Sequence, residues 1–327
     1  MTIKAVIINK LDGVYTVASG NLPVSELMEG DTLVRVSHSS VNYKDGLAVT
    51  NRAPVVRRFP MVPGIDMVGT VEETAEPGLA PGDTVILNGW GTGETHLGAW
   101  AEKSRVPGKW LVPLPKGLSA EQAAAIGTAG YTAALCVLAL QDAGVTPAAG
   151  PILVTGAAGG VGSVSIALLG ALGYHVIAST GRAEESDYLK KLGASEIISR
   201  EELSGAPRAL GKERWAGAVD SVGSTTLANV ISMTRYGGTV TCCGLAGGMD
   251  LPSSVAPFIL RGVKLVGIDS VMAARELRLR AWDLLDQKLD RKLLAEMTTV
   301  VPLSQAIEVG AQIVEGKVRG RVVVTID

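Results

Sequence analysis

The stretch Ile152-Leu153-Val154-Thr155-Gly156-Ala157-Ala158-Gly159-Gly160-Val161-Gly162-Ser163 constrains this chain more than any other. It is a buried-type strand that runs into glycine-rich text and then into an apolar helix. Gly156, Gly159 and Gly162 supply a tight turn, a close approach of backbone to a ligand, and close packing of helix on strand. The helix start then presents unpaired N–H groups to an anion. A glycine motif of this kind is weak alone, because glycine-rich turns also serve as plain connections. The strand before it, the helix after it and the next strand at the right distance raise it to a dinucleotide pyrophosphate site.

The alternation continues beyond the loop. Strand PILVTG, a helix over 160–172, strand HVIAST, a helix over 184–192, strand EIISR, strand GAVDSV, a helix around 227–234, and strands GTVTCCG and VKLVGIDSV follow in order. This text predicts an α/β fold, a doubly wound parallel sheet with right-handed crossovers. The first third of the chain differs: short β runs such as KAVII, DTLVRVSHSSV and DTVILNGW are cut by turn pairs such as Pro63-Gly64 and Pro81-Gly82. Ser119 as N-cap with Gln122 at N3 opens helical, alanine-rich text, and a second helical segment runs over 130–143. After Met272 come a helix over 275–287, strand TTVVPL, a helix over 304–314 and a last strand, GRVVVTID. That lone strand needs a sheet to join, so it is expected to return to the first domain. The expected division is a β-rich catalytic domain over 1–121 and 272–327 with a dinucleotide-binding domain over 122–271. A chain of 327 residues with 47% hydrophobic residues, 40 glycines and two phenylalanines suits two domains of this build.

The strand HVIAST should end beside the adenosine ribose, where an NAD-binding protein places a carboxylate. Here Ser179, Thr180, Gly181 and Arg182 stand instead. A hydroxyl and a guanidinium without a carboxylate suit a 2′-phosphate, so NADPH is the expected cofactor. Arg200, after the next strand, is a second candidate cation. The competing readings make Arg182 an ordinary helix-start residue and Arg200 an ordinary surface one.

With 30 basic against 32 acidic residues the formal charge is −2, which offers no field for nucleic acid or an anionic membrane. No uncharged apolar run is read as membrane-spanning, and the N-terminal text lacks the apolar core and cleavage site of a signal peptide. The cysteines, Cys136, Cys242 and Cys243, are odd in number and two are adjacent, which suits a reducing, cytoplasmic setting rather than disulfides. The three histidines, at 38, 96 and 175, are scattered, and the two in the β-rich part have no cysteine partner there. No metal site is expected.

Asn42-Tyr43-Lys44-Asp45, then Pro63-Gly64-Ile65-Asp66, then Gly127-Thr128-Ala129-Gly130-Tyr131-Thr132-Ala133 and the Gly156 loop occur in an order that resembles the zinc-free quinone oxidoreductase branch of the medium-chain dehydrogenase/reductase superfamily. That match extends over essentially the whole chain, and longer blocks in one order, among them SSVNYKDGLAVT, RRFPMVPGIDMVGTV, CGLAGGMDLP and PFILRGVKLVGIDSVM, resemble the NADPH-dependent acryloyl-CoA reductases. The resemblance implies a Rossmann domain inserted in a GroES-like catalytic domain, and reduction of acryloyl-CoA to propanoyl-CoA. It also implies NADPH contacts at Tyr43, Ala158, Gly159, Gly160, Val161, Thr180, Gly181, Arg182, Arg200, Leu245, Ile259 and Ser270, and at Glu315, where the family tends to carry Asn.

Reduction of a 2-enoyl thioester needs hydride delivered to its β-carbon, hydrogen bonds to the thioester oxygen and a proton for the α-carbon. The candidates are Asn42 to orient substrate, Tyr43 to touch the nicotinamide ribose or donate a proton, and Asp45 to fix the turn or a hydroxyl. A plain Asx-type turn is the rival reading. Arg57 and Arg58 are candidates for coenzyme A phosphates, with a solvated loop as the alternative. The apolar strands at the end of the parallel sheet point to a homodimer. Two other functions share these cofactor features: a quinone or enal reductase, and a non-catalytic NADPH-binding protein that senses redox state or binds AU-rich RNA. The neutral charge and the lack of an aromatic-basic stripe speak against RNA.

Overall fold

The computed structural model describes residues 1–326. In chain order its strands and α-helices are β1 (Thr2–Leu11), β2 (Val14–Pro23), β3 (Thr32–Val41), α1 (Tyr43–Thr50), β4 (Asp66–Thr74), β5 (Thr84–Asn88), β6 (Lys103–Val106), β7 (Val112–Pro113) and α2 (Ala120–Asp142). Next come β8 (Ile152–Val154), α3 (Gly160–Ala171), β9 (Val176–Thr180), α4 (Ser186–Leu192), β10 (Glu196–Ser199), β11 (Trp215–Asp220), α5 (Ser224–Ser232), β12 (Thr234–Cys242), α6 (Ala256–Arg261) and β13 (Lys264–Gly267). The chain closes with α7 (Arg275–Lys288), α8 (Arg291–Glu296), β14 (Thr298–Pro302), α9 (Ala306–Val314) and β15 (Arg321–Thr325). Two units divide it: Met1–Thr128 with Ser270–Leu279 and Leu294–Asp327, and Ala129–Asp269 with Arg280–Leu293.

In the first unit, β1 and β2 form a hairpin across an Asp12-Gly13 turn, both residues at positive φ as a tight two-residue connection requires. The larger sheet has the order β14-β15-β3-β4-β5-β7, with β6 also paired to β3. The last strand does return here: β15 pairs antiparallel with the second half of β3 and parallel with β14. Val34, Val36, Met67, Leu87, Trp100, Leu111 and Val324 meet in its core. Gly46, inside α1, is required by packing, because a Cβ there would lie against the Gly310 carbonyl and 2.5 Å from Val314 Cγ2 on α9.

In the second unit the sheet order is β10-β9-β8-β11-β12-β13, with each pairing parallel. Strands β8, β9 and β11 are buried along their full length, as expected of a parallel sheet covered by helices on both faces. The order reverses between β8 and β11, the switch point at which such sheets bind ligands beyond their carboxyl ends.

Four readings change. Residues 280–293, assigned from sequence to the returning segment, group with the second unit, where Ala281, Trp282 and Leu285 are buried. The Asn42–Asp45 turn proves to be the start of helix α1. The two helical segments after Ser119 merge into α2 across a kink at Gly127 (φ 49°, ψ −161°). Residues 122–141 are in fact an uncharged run, and α2 is long and apolar enough to cross a membrane; its most apolar stretch is mostly buried inside the protein, as in a core helix.

Candidate active site

The dinucleotide loop is built on β8, at the centre of the parallel sheet. Gly156 takes φ 58°, which spares an L-residue's strain. A Cβ on Gly162 would come within 2.7 Å of Ala157 Cα and closer to the Gly156 carbonyl, so only glycine lets α3 lie this near the loop. Gly159 is the N-cap of α3 and offers no side-chain cap, while Ser163 N already donates to the Gly159 carbonyl at 2.9 Å. The N–H groups of Gly160, Val161 and Gly162 are thereby left for an anion. A buried carboxylate pins the loop from below: Asp220, at the end of β11, accepts from Thr155 Oγ1 (2.6 Å) and Gly223 N (2.8 Å). Burial raises its pKa. Asp220 was not singled out in the sequence, where it closes the strand text GAVDSV without a visible partner.

The two candidate cations follow the ends of the neighbouring strands β9 and β10. The Arg182 N–H donates to Thr180 Oγ1 (3.0 Å), and its guanidinium reaches the Ala158 carbonyl of the glycine loop at 3.5 Å. Arg200 leaves the adjacent strand beside Gly181, with which its side chain is in contact distance. Further along the carboxyl edge, a cavity of about 640 Å³ is lined by Gly223, Cys242, Cys243, Gly244 and Leu245, among others. Ile259 is exposed on α6. The Cys242 and Cys243 thiols are pushed up, the first mainly by burial and the second mainly by its hydrogen bond with Cys136, so neither is a ready thiolate. A glycine cradle that any Cβ would fill, unpaired helix-start N–H groups and two guanidiniums fit a dinucleotide carrying a 2′-phosphate.

The first unit holds the remaining candidates. Tyr43 opens α1 and is 39% exposed. Asn42 and Asp45 are buried and occupied. Asp45 accepts from Asn42 N (2.9 Å), closing a capping box, and its other oxygen takes the N–H groups of Gly64 and Ile65, both at 3.1 Å. Burial first, and then the charge of Asp66, push its pKa up to about 7, against the opposing hydrogen bonds from Asn42 and Ile65. Asn42 donates to Asp66 Oδ2 (2.8 Å) and accepts from Arg321 Nη1 (3.2 Å). Both side chains therefore shape the α1 start that carries Tyr43.

That network has a centre the sequence did not reveal. Asp66 accepts from Ser40 Oγ (2.5 Å), Asn88 Nδ2 (2.7 Å), Thr128 N (2.9 Å) and Thr128 Oγ1 (2.5 Å). Its counter-charge, Arg321 Nη2, stands 3.8 Å away, and Arg321 Nε donates to the Ala125 carbonyl (2.7 Å). The one available signal was a carboxylate inside apolar text, IDMVGTV, and a guanidinium at the head of VVVTI.

Ser270 lies in the short segment whose carbonyls are gripped by buried Arg278, which donates to Val271 O (2.6 Å), Ser270 O (3.4 Å) and Asn88 O (2.7 Å). Glu315 caps the end of α9, 2.7 Å from Lys317 Nζ and 3.6 Å from Arg52 Nη2. Arg52 follows the end of α1 that is remote from Tyr43. Arg57 and Arg58 are exposed; Arg58 Nη1 lies 3.3 Å from Met28 Sδ, and Arg57 N donates to the Glu94 carbonyl. His38 Nδ1 faces Ser37 Oγ and His96 Nδ1 the Leu97 carbonyl, each at 3.0 Å. Among the described residues no group of three or more His, Cys, Asp or Glu side chains is arranged to hold a metal ion.

Two family models match the chain. The family model "Alcohol dehydrogenase GroES-like domain" matches residues 28–116, and "Zinc-binding dehydrogenase" matches 160–287. The chain is 50% identical to the acrylyl-CoA reductase AcuI of Ruegeria pomeroyi over 94% of its length and 93% of that protein's. It is 47% identical to the probable acrylyl-CoA reductase AcuI of Escherichia coli over 99% of its length and all of that protein's. The YhdH oxidoreductase of Salmonella enterica, solved in complex with NADP, superposes with a TM-score of 0.97 at 48% identity, covering 99% of this chain and 100% of that one. The YhfP protein of Bacillus subtilis, solved with NAD bound, gives 0.95 at 41% identity, with both chains fully covered.

Proposed function

This chain belongs to the medium-chain dehydrogenase/reductase superfamily, in its quinone oxidoreductase-like branch, and on that premise we propose that it is an NADPH-dependent acryloyl-CoA reductase. It reduces the 2,3-double bond of acryloyl-CoA to give propanoyl-CoA. The full-length likeness to acrylyl-CoA reductases carries the choice of substrate. The two guanidiniums that follow the ends of β9 and β10 support NADPH over NADH, a choice the chain's own residues must decide because one similar protein was solved with NAD.

NADPH, when bound, supplies the hydride that the substrate's β-carbon accepts. The chain's work is to hold and to orient. Gly159, Gly160 and Val161 present backbone N–H groups to the pyrophosphate, Arg182 and Arg200 take the 2′-phosphate with Thr180 and Gly181, and Leu245, Ile259 and Ser270 are the further contacts. Tyr43 is the group proposed to touch substrate or nicotinamide ribose: its phenol has no hydrogen-bond partner among the described residues and can donate a proton at the α-carbon. Asn42 and Asp45 act as positioning residues for it. Arg57 and Arg58, exposed on their loop, are proposed for the coenzyme A phosphates.

The edge strand β13 and the exposed Tyr236, Val255 and Leu260 near the end of the parallel sheet support a homodimer. Three free thiols suit a reducing cytoplasm. NADPH oxidation measured with acryloyl-CoA, crotonyl-CoA, acrolein and a small quinone tests the function. The expected order places acryloyl-CoA first in kcat/KM. Faster turnover of the quinone or acrolein would make this an enal or quinone reductase, and no turnover with any of them, alongside tight NADPH binding, would leave a sensor.

A further inference from the structure

Residues 270–273 belong to no helix or strand, so no ladder of backbone hydrogen bonds fixes their peptide groups. Arg278 does this instead. From a position only 2% exposed, its Nε donates to Ala273 O (2.9 Å), Nη1 to Asn88 O (2.7 Å), and Nη2 to Val271 O (2.6 Å) and Ser270 O (3.4 Å). One rigid fork thus holds three carbonyls of this segment and a fourth at the end of β5. The fork is itself clamped: Arg278 Cζ lies 4.6 Å from the Trp90 ring centroid, and Trp90 stacks on Trp110 with the ring planes 1° apart. Trp90 holds φ 55°, which strains the backbone of a bulky residue, and in that conformation its N–H donates to Val271 O (3.1 Å). Gly89 leaves room for the segment, since a Cβ there would stand 2.8 Å from Val271 Cα and 3.0 Å from Ser270 O.

Asn88 joins this clamp to the start of α1. Its carbonyl accepts from Arg278, its side chain donates to Asp66 Oδ1 (2.7 Å), and Asp66 Oδ2 accepts from Asn42 (2.8 Å), the N-cap residue before Tyr43. A path of hydrogen bonds therefore runs, inside the first unit, from Ser270 to the helix that carries Tyr43.

We propose that Arg278 is a positioning residue for hydride transfer: it holds Ser270 in register with Tyr43, so that the nicotinamide half of the cofactor and the proton donor meet the substrate in one geometry. It acts through the backbone of residues 270–271. This rests on the reductase reading above, with Ser270 as a contact for NADPH, and adds to it a residue that governs the rate of the chemical step.

The test uses the full chain and two variants. Arg278→Lys replaces the fork by one ammonium that cannot span four carbonyls, and Gly89→Ala pushes the same segment aside while leaving the guanidinium in place. Stopped-flow single turnover of NADPH, unlabelled and deuterated at C4, reads the hydride step with acryloyl-CoA or with whichever acceptor wild type reduces fastest. Titration with adenosine 2′,5′-bisphosphate, which lacks the nicotinamide, reads the rest of the cofactor site and the integrity of the fold. Each variant is expected to slow the isotope-sensitive step about tenfold or more, the scale of a sub-ångström misplacement, while the Kd for the bisphosphate stays unchanged. A wild-type hydride rate in either variant would overturn the inference. So would a loss of bisphosphate affinity in both variants that matches the loss of rate, which would make Arg278 a residue of the fold alone; if only Arg278→Lys fails to fold, Gly89→Ala decides. A wild type that oxidises NADPH with no acceptor would overturn the reductase reading, and this inference with it, whereas a preference for a quinone would overturn only the choice of substrate.

Discussion

At the scale of residues, Tyr43 and Asp45 sit two positions apart and do different work. Tyr43 is half-exposed at the head of α1 with an uncommitted phenol. If that phenol delivers the proton, Tyr43→Phe should lower kcat about 100-fold with little change in the Kd for NADPH, measured by stopped-flow turnover and fluorescence titration. Asp45 is enclosed, and its pKa stands near 7 against 3.8 for an ordinary aspartate. Between those values the folded state keeps a proton that the unfolded chain releases, so Asp45 lowers stability as pH rises from about 4 to about 7, with no further change above. Urea midpoints across that window should show this fall, and Asp45→Asn should flatten it even though the substitution weakens the α1 cap. The polar cluster at 42–45 was legible because its members are adjacent. Asp66, Asn88, Thr128 and Arg321 were not, since their partnership exists only after strands far apart in sequence have been laid side by side.

At the scale of elements, local signals announced some helices and tertiary packing hid others. Helix α2 was readable from Ser119 and Gln122, and both halves of that capping box form, at 3.0 and 3.1 Å. Helix α1 was not. Its glycine at 46 costs about 1 kcal/mol of helix propensity and is tolerated because α9 leaves no room for a Cβ. The same balance sets the kink in α2, where Gly127 holds φ 49° and a Cβ would stand 2.5 Å from both Arg321 Nη2 and Asp66 Oδ2. Gly127→Ala should therefore destabilise by about 3 kcal/mol or more, from backbone strain together with a disturbed buried ion pair, read as a drop in the denaturant midpoint at unchanged slope. Strand β2 escaped notice because its residues are mostly exposed, which leaves no apolar period to read.

At the scale of the whole molecule, the parallel sheet was the more legible half, since each β/α step is local and its strands are apolar throughout. The antiparallel unit gathers strands from both ends of the chain, and only the need of a lone terminal strand for a sheet hinted at its closure. A homodimer built on the β13 edge should dissociate when a charge is placed in its apolar surround: Leu260→Asp is expected to halve the mass seen by light scattering while leaving NADPH binding in place. The pairing of β15 with residues His38–Val41 of β3 also bears on how the protein is made. A ribosome releases β3 well before β15, so that stretch of β3 has no partner from β15 until residues 322–325 emerge. During that interval Asp66, whose only buried counter-cation in the network is Arg321, stands without it. Newly made chains should thus carry an incomplete antiparallel sheet for that interval, and its open edge is where a chaperone would be of most use.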